Sequence, residues 1–291
     1  MKGLKIIVLA KQVPDTRNVG KDAMKADGTV NRSALPAIFN PEDLQALEQA
    51  LRIKDQIPET TVTTITMGPV RAANIIREAL YRGADDGVLI TDRRFAGSDT
   101  LATSYALSLA AKKIGKFDLI VCGRQAIDGD TAQVGPQVAE KLGIPQVTYV
   151  EEILEVNKKK ITVKRRLENG VETLVAPYPL LLTVHGSAPE CRSRNAKLLM
   201  KFKHACTPAE LVREAEDYLR LHDLHDYLDI TEWNVDDLNA DLTWLGLKGS
   251  PTKVQRVENI VFTVKESIQV KPDKEGIDGL MKELIAHHNV G

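Results

Sequence analysis

Short apolar runs alternate with longer helical patterns through the first 150 residues, and this rhythm restricts the fold more than any other feature. Ile6–Ala10, Thr61–Met67, Val88–Thr91, Leu119–Cys122 and Val147–Val150 read as buried strands, rich in β-branched residues. Between them lie helical stripes. Leu44, Leu47, Leu51 and Ile53 follow Asn40-Pro41, a fair N-cap and a residue suited to the first helical position. Further helices run through Ile75, Ile76 and Leu80, over Thr100 to Lys113, and over Val134 to Leu142. Strand–helix alternation predicts an α/β fold with a parallel sheet, right-handed crossovers and helices on both faces. Ligands of such sheets bind beyond the carboxyl ends of the strands. Here those ends lie near Leu9–Lys11, Met67-Gly68, Thr91-Asp92 and Cys122-Gly123.

The stretch Asp118–Val134, DLIVCGRQAIDGDTAQV, has the form of a phosphate-holding strand, loop and helix N-terminus. A strand stops on Gly123, a polar loop carries Asp128 and Asp130, and a helix is expected to open near Thr131. The plain alternative is a surface loop with Asp130 as N-cap and Gln133 as its capping-box partner. Pro136 is awkward in the second turn of that helix, which suggests a displaced start and extra free N–H groups. Asp92–Thr103 joins another strand end to another helix, with Asp99 as N-cap. It reads either as a structural cap or as a second wall of the same pocket. In the second case Thr100 and Thr103 offer hydroxyls, and Arg93 or Arg94 a cation for a diphosphate.

Composition excludes several classes. The net charge is −1 and aromatic residues are 4%, so neither a basic nucleic-acid surface nor a base-stacking platform is expected. Cys122, Cys191 and Cys206 form no CxxC pair, which argues against disulfides or zinc and suits a reducing, cytoplasmic compartment. No apolar run approaches a membrane span, and the Ile6–Ala10 run is too short for a signal peptide. GxGxxG and GxxxxGK[ST] are absent. No nucleophile–base–acid set stands out, so catalytic and metal-ligating residues are expected to be none, and a cofactor is expected to carry any chemistry.

Beyond residue 150 the pattern changes. Lys158 to Val175 reads as an antiparallel hairpin turning at Asn169-Gly170, with a basic run best read as solvated. Leu180–Val184 is another buried strand and Ala188–Asn195 a polar loop. Helices are expected at Pro208–Leu221 and Gly276–His287. The division expected is one nucleotide-binding domain over 1–221 and an arm over 222–291. His222 and His225, beside Asp223 and Asp226, read as a solvated polar segment. Cys122 reads as core, and His185 is the one histidine placed near a candidate loop.

CGRQAIDGDTAQVGP, at Cys122 to Pro136, closely resembles the nucleotide-binding motif of the electron-transfer flavoprotein beta subunits. KQVPD at Lys11–Asp15, NPED at Asn40–Asp43, MGP at Met67–Pro69, GAD at Gly83–Asp85 and a late Gly-Ser-Pro-Thr follow in family order. The resemblance implies a Rossmann-like domain and a C-terminal arm that wraps an FAD-bearing alpha subunit. In ordinary members the beta subunit holds a structural AMP. In electron-bifurcating members it holds a second FAD, and Asp92–Ser104 resembles their flavin-side motif. FAD is therefore expected, with AMP as the alternative. Carried over by position, Leu9, Ala10 and Lys11 would line the adenosine, and Asn40 and Met67 the adenine or ribose. Gly123, Arg124, Gln125, Ala126, Ile127, Asp128, Gly129, Asp130, Thr131, Gln133 and Val134 would wrap ribose and phosphates. Asp99, Thr100 and Thr103 would face the rest of FAD. Ala188, Glu190 and Arg192 fall in the family's partner-docking loop, although Glu190-Cys191-Arg192-Ser193 departs from the usual Glu-Pro-Arg-Tyr. The implied activity is electron carriage, and NADH-dependent bifurcation only as a complex with the alpha subunit. The implied partners are NADH, flavin dehydrogenases and a low-potential carrier such as ferredoxin or flavodoxin. An ordinary AMP-holding carrier and a non-redox nucleotide-binding module are the competing readings.

Overall fold

The computed structural model describes residues 3–15, 36–157, 159–211, 225–252 and 269–287. The expected helix beyond Leu211, the His222–Asp223 pair and Lys158 lie outside these residues.

A sheet of nine strands forms the centre. In chain order its strands are β1 (Lys5–Leu9), β4 (Thr61–Met67), β5 (Asp86–Ile90), β6 (Leu119–Gly123), β7 (Gln146–Val156), β8 (Lys160–Leu167), β9 (Gly170–Pro177), β10 (Leu180–Val184) and β11 (Thr231–Trp233). In space they run β11-β5-β4-β1-β6-β10-β7-β8-β9. Every pairing from β11 to β7 is parallel, and β8 and β9 continue antiparallel. The chain moves outward from β1 through β4 and β5, then returns to the other side of β1 at β6. The strand order thus reverses between β1 and β6, where Leu9 is paired with Cys122. In sheets of this kind that reversal opens the ligand crevice. A separate two-stranded ribbon pairs β2 (Gln12–Pro14) with β3 (Ala37–Phe39).

Both faces are covered, as the alternation requires. Along β1, Ile6 and Val8 point to one core and Ile7 and Leu9 to the other; Leu119 and Val121 oppose Ile120 and Cys122 along β6. Helices α1 (Pro41–Gln56) and α2 (Ala73–Leu80) cover the first face with Leu47, Leu51 and Ile76. Helices α3 (Thr100–Ile114) and α4 (Val134–Leu142) cover the second with Ala106, Ala110 and Val138. Strands buried on both faces read as unbroken apolar runs, which is why they were visible in the sequence.

Three features differ from the expectations. Helix α4 opens at Val134, not near Thr131, because Asp130 and Ala132 adopt left-handed backbone (φ 49° and 52°). Pro136 is then its third residue, where a missing N–H costs nothing. In the hairpin, Leu167 pairs with Gly170, so Glu168-Asn169 makes the turn, one residue early. Strand β11, which no local pattern announced, adds to the edge of the sheet beside β5. Short helices α5 (Ala196–Phe202) and α6 (Pro208–Leu211) follow β10, and α7 (Lys274–Ala286) is the last element.

Candidate nucleotide site

The site is built from the amino-terminal turn of α1. Asn40 occupies the N-cap position and Pro41 the first helical position, but the Asn40 side chain does not cap. It reaches across instead: Nδ2 donates to the Gln125 carbonyl at 2.9 Å, and Oδ1 accepts the Ile127 N–H at 3.2 Å. Glu42 accepts the Gln125 N–H at 2.9 Å and an Arg124 guanidinium N–H at 3.0 Å. Asp43 accepts the Gly123 N–H at 2.8 Å through Oδ1 and the Lys11 N–H at 2.9 Å through Oδ2. One helical turn therefore fixes the ends of both strands that border the crevice, together with the loop that leaves β6.

Asp43 is buried, and desolvation pushes its carboxyl up to about 7, against the two backbone donors that favour the anion. Gly123 has no room for a side chain, since a Cβ would lie 2.6 Å from Asp43 Oδ1 and 2.8 Å from Asp43 N. Cys122 is buried, and burial first, then Asp43 and Glu42, push its thiol up, as befits a core residue.

Above this base the loop turns back on itself. The Gly129 and Asp130 N–H groups both point at the Ala126 carbonyl, at 3.3 and 2.9 Å. Lys11 Nζ crosses from the end of β1 to both oxygens of Asp128, at 2.8 and 2.9 Å. Asp130 is not a cap; it accepts from Gln125 Nε2 at 2.9 Å. The first bond within α4 runs from the Gln137 N–H to the Gln133 carbonyl. The N–H groups of Val134 and Gly135 thus have no protein partner among the described residues, as the displaced start suggested. Leu9 and Ala10 are buried at the strand end, and Met67 is half-buried at the end of β4.

The second wall is present but differently employed. Asp99 caps α3. Thr100 Oγ1 donates to Gln133 Oε1 at 3.0 Å, which brings the two loops together across the helix starts. Thr103 is half-buried one turn on, and Thr131 is exposed. Arg94 is engaged by Asp92 and Asp236, each at 2.7 Å, and these carboxylates raise its pKa. Arg93 is exposed, and its guanidinium has no ion pair among the described residues.

In the expected docking loop, Ala188 is buried, and its carbonyl accepts from Gln45 Nε2 at 2.8 Å. Arg192 is folded onto α1, bonded to Glu48 at 2.9 Å and Asp55 at 2.8 Å. Only Glu190 of the three stands in solvent. His185 lies at the end of β10, its Nδ1 2.8 Å from Ser187 Oγ and its ring 5.9 Å from that of Tyr149. A cleft of about 480 Å³ lies at the opposite, amino-terminal edge of the sheet. Of the basic groups lining it, Lys54, Arg82, Arg192 and Arg194 are paired with Asp85, Glu78, Glu48 and Asp55, and Lys201 lies over the rings of Phe202 and Tyr227.

Sequence reasoning missed Glu42 and Asp43 as parts of the site. Two acids in a first helical turn are explained locally by the helix dipole, and nothing nearby shows that they reach another strand's end. No helix among the described residues is long and apolar enough to cross a membrane, and no metal-ligating cluster is found among them.

The family model described as the electron transfer flavoprotein domain matches residues 27–204. The electron transfer flavoprotein subunit beta of Clostridium acetobutylicum is 41% identical over 287 residues, covering 99% of this chain and 100% of its own. The caffeyl-CoA reductase-Etf complex subunit CarD of Acetobacterium woodii is 42% identical over 257 residues, 87% of each chain. Protein FixA of Azotobacter vinelandii is 42% identical over 256 residues, 86% of this chain and 82% of its own. A parallel sheet whose order reverses at Gly123, the loop that α1 holds there, and relatives matched along nearly the whole chain lead to one conclusion: this chain belongs to the electron transfer flavoprotein family, as a beta subunit.

Proposed function

We propose that this chain binds FAD in the crevice between β1 and β6 and works, with an alpha subunit, as an electron-bifurcating carrier in the cytoplasm, fed by NADH. The supporting observation is the bond from Thr100 to Gln133, which joins the Asp92–Thr103 loop to the Gly123–Val134 loop at one crevice. The donor set suits a dinucleotide. The N–H groups of Val134 and Gly135, unpartnered among the described residues, and the Lys11 ammonium would meet phosphate oxygens. The Thr100 and Thr103 hydroxyls would meet the flavin side. The exposed Arg93 guanidinium, without an ion pair among the described residues, is near enough in sequence to add charge. Bound FAD would supply the one- and two-electron chemistry that no side chain here offers. The protein's own part is to hold, orient and shield.

The chain's relatives include a subunit of a caffeyl-CoA reductase-Etf complex, which fits work within an assembly with flavin dehydrogenases and a ferredoxin- or flavodoxin-like carrier. Helix α7 supports an alpha-subunit contact. Ile277, Leu280, Met281 and Ile285 form an apolar stripe at helical spacing, and all four are exposed. We assign α7 to an arm that docks there, with the Ala188–Arg192 loop as a second contact through Glu190. To test the proposal, purify the heterodimer, denature it and quantify released nucleotides. Two FAD per heterodimer, with bleaching by NADH, is the expected result. One FAD and one AMP would leave an ordinary carrier, and no flavin at all a non-redox nucleotide module.

A further inference from the structure

Asp99 serves two parts of the molecule at once. Its Oδ1 accepts the N–H groups of Leu101 and Ala102 at 2.9 and 3.0 Å, which caps α3. Its Oδ2 accepts the Thr252 hydroxyl at 2.7 Å and the Thr252 N–H at 3.0 Å. Buried Ser250 fastens the same point: its Oγ accepts the Asp99 N–H at 2.8 Å and donates to the Gly246 carbonyl at 2.6 Å. The Gly246 N–H reaches Ser98 Oγ at 3.2 Å, and a Cβ on Gly246 would lie 2.4 Å from the Arg94 carbonyl oxygen. The Gly-Ser-Pro-Thr segment is thus seated on the Asp92–Thr103 loop.

One residue along, Thr100 donates to Gln133, which immediately precedes α4. A chain of direct contacts therefore runs Thr252, Asp99, Thr100, Gln133, from the C-terminal segment to both helix starts at the crevice. The torsion that turns an aspartate's carboxyl plane is broad, so outside partners must set it. Thr252, holding Oδ2, fixes where Oδ1 meets the two N–H groups of α3. Burial pushes the Asp99 carboxyl up, but the Thr252 donors and the α3 amides outweigh it and hold it below its ordinary value. The acceptor is therefore the anion, whose hydrogen bonds are the stronger kind.

We propose that Asp99 is a positioning residue for the nucleotide, set by Thr252, so that release of Thr252 from Asp99 loosens the first turn of α3 and speeds nucleotide loss. This rests on the nucleotide site proposed above. It assigns Asp99 to the frame of the pocket and not to direct contact with the ligand.

The test uses the heterodimer with Thr252→Val and Thr252→Ser. Valine keeps the volume and removes the hydroxyl donor, whereas serine keeps the donor. FAD and AMP release after dilution is followed by chromatography, and amide hydrogen exchange is read at Leu101 and Ala102. The valine variant should release nucleotide roughly fivefold faster or more, exchange faster at both amides, and keep its melting temperature; serine should restore wild-type values. Unchanged release with unchanged exchange, or failure of serine to restore either, overturns the proposal. If wild-type heterodimer carries no nucleotide, the binding assignment fails instead. The exchange arm then still decides whether Thr252 sets Asp99.

Discussion

Asp43 and Gly123, 80 residues apart in sequence, meet in a 2.8 Å hydrogen bond where the strand order reverses. The same carboxylate holds the Lys11 N–H, so one buried side chain spans both lips of the crevice. Asp43→Asn keeps the shape but sets an NH₂ group against one of two N–H donors. It should cost about 1–3 kcal/mol of stability. The folded pKa, about 7, lies above the ordinary 3.8, so the native state holds more protons than the unfolded chain between those values. This contribution is therefore complete at acid pH and fades as pH rises toward 7, at up to about 1.4 kcal/mol per pH unit. The stability gap between wild type and D43N, measured by urea unfolding from pH 5 to 8, should narrow as pH rises. A gap independent of pH would show that Asp43 is ionised throughout.

Gly123→Ala should be worse than its size suggests. Its Cβ would meet Asp43 Oδ1 at 2.6 Å and the α1 backbone at 2.8 Å, with no flexible group to yield. A loss of about 1–3 kcal/mol is expected from overpacking, with weaker nucleotide retention because the loop is displaced. Thermal melting and nucleotide content of the purified heterodimer check both. Normal values in both would show that α1 can move aside.

Lys11→Met separates binding from folding. The Lys11–Asp128 pair is half-exposed on the lysine side, so it should contribute no more than about 1 kcal/mol to stability. Yet its loss leaves Asp128 uncompensated beside the proposed phosphate position. Nucleotide affinity should fall roughly tenfold and become less sensitive to salt, as titration at two ionic strengths would reveal. Equal affinity for both proteins would place the phosphates elsewhere.

Leu280→Glu in α7 tests the arm. The side chain is exposed in this chain, so melting of the beta subunit alone should change by less than about 0.5 kcal/mol. Assembly with the alpha subunit should weaken tenfold or more, since a buried charge replaces an apolar anchor. Size-exclusion chromatography of the mixed subunits reads the result, and undiminished assembly would remove α7 from the interface.

Much of this was legible in the chain because it is written locally. Ile6–Ala10 and Leu119–Cys122 are apolar on both faces and Thr61–Met67 is rich in β-branched residues, so they announce the strands of a parallel sheet without reference to anything distant. Asp99 was readable as a cap from its place before a helix, and the cap is there. Asp130 was readable in the same way, yet left-handed backbone at Asp130 and Ala132 moved the helix start past it. Backbone choices of that kind depend on what the loop is tied to, here Asn40 and Glu42, and those ties are not local.

By itself, then, the sequence determined the layers, the burial of the strands from β1 to β6 in the parallel sheet and the position of the loop after β6, because periodicity and chain order suffice for these. The tertiary structure alone decided which side chains hold that loop. Asn40, Glu42 and Asp43 look like the start of a helix, and they become the frame of a site only because β1 and β6 lie side by side. It also decided that Asp99 faces Thr252 and that Arg94 and Arg192 are already paired. Hydrogen bonds and ion pairs join residues far apart in the chain, and only folding sets the distances between them.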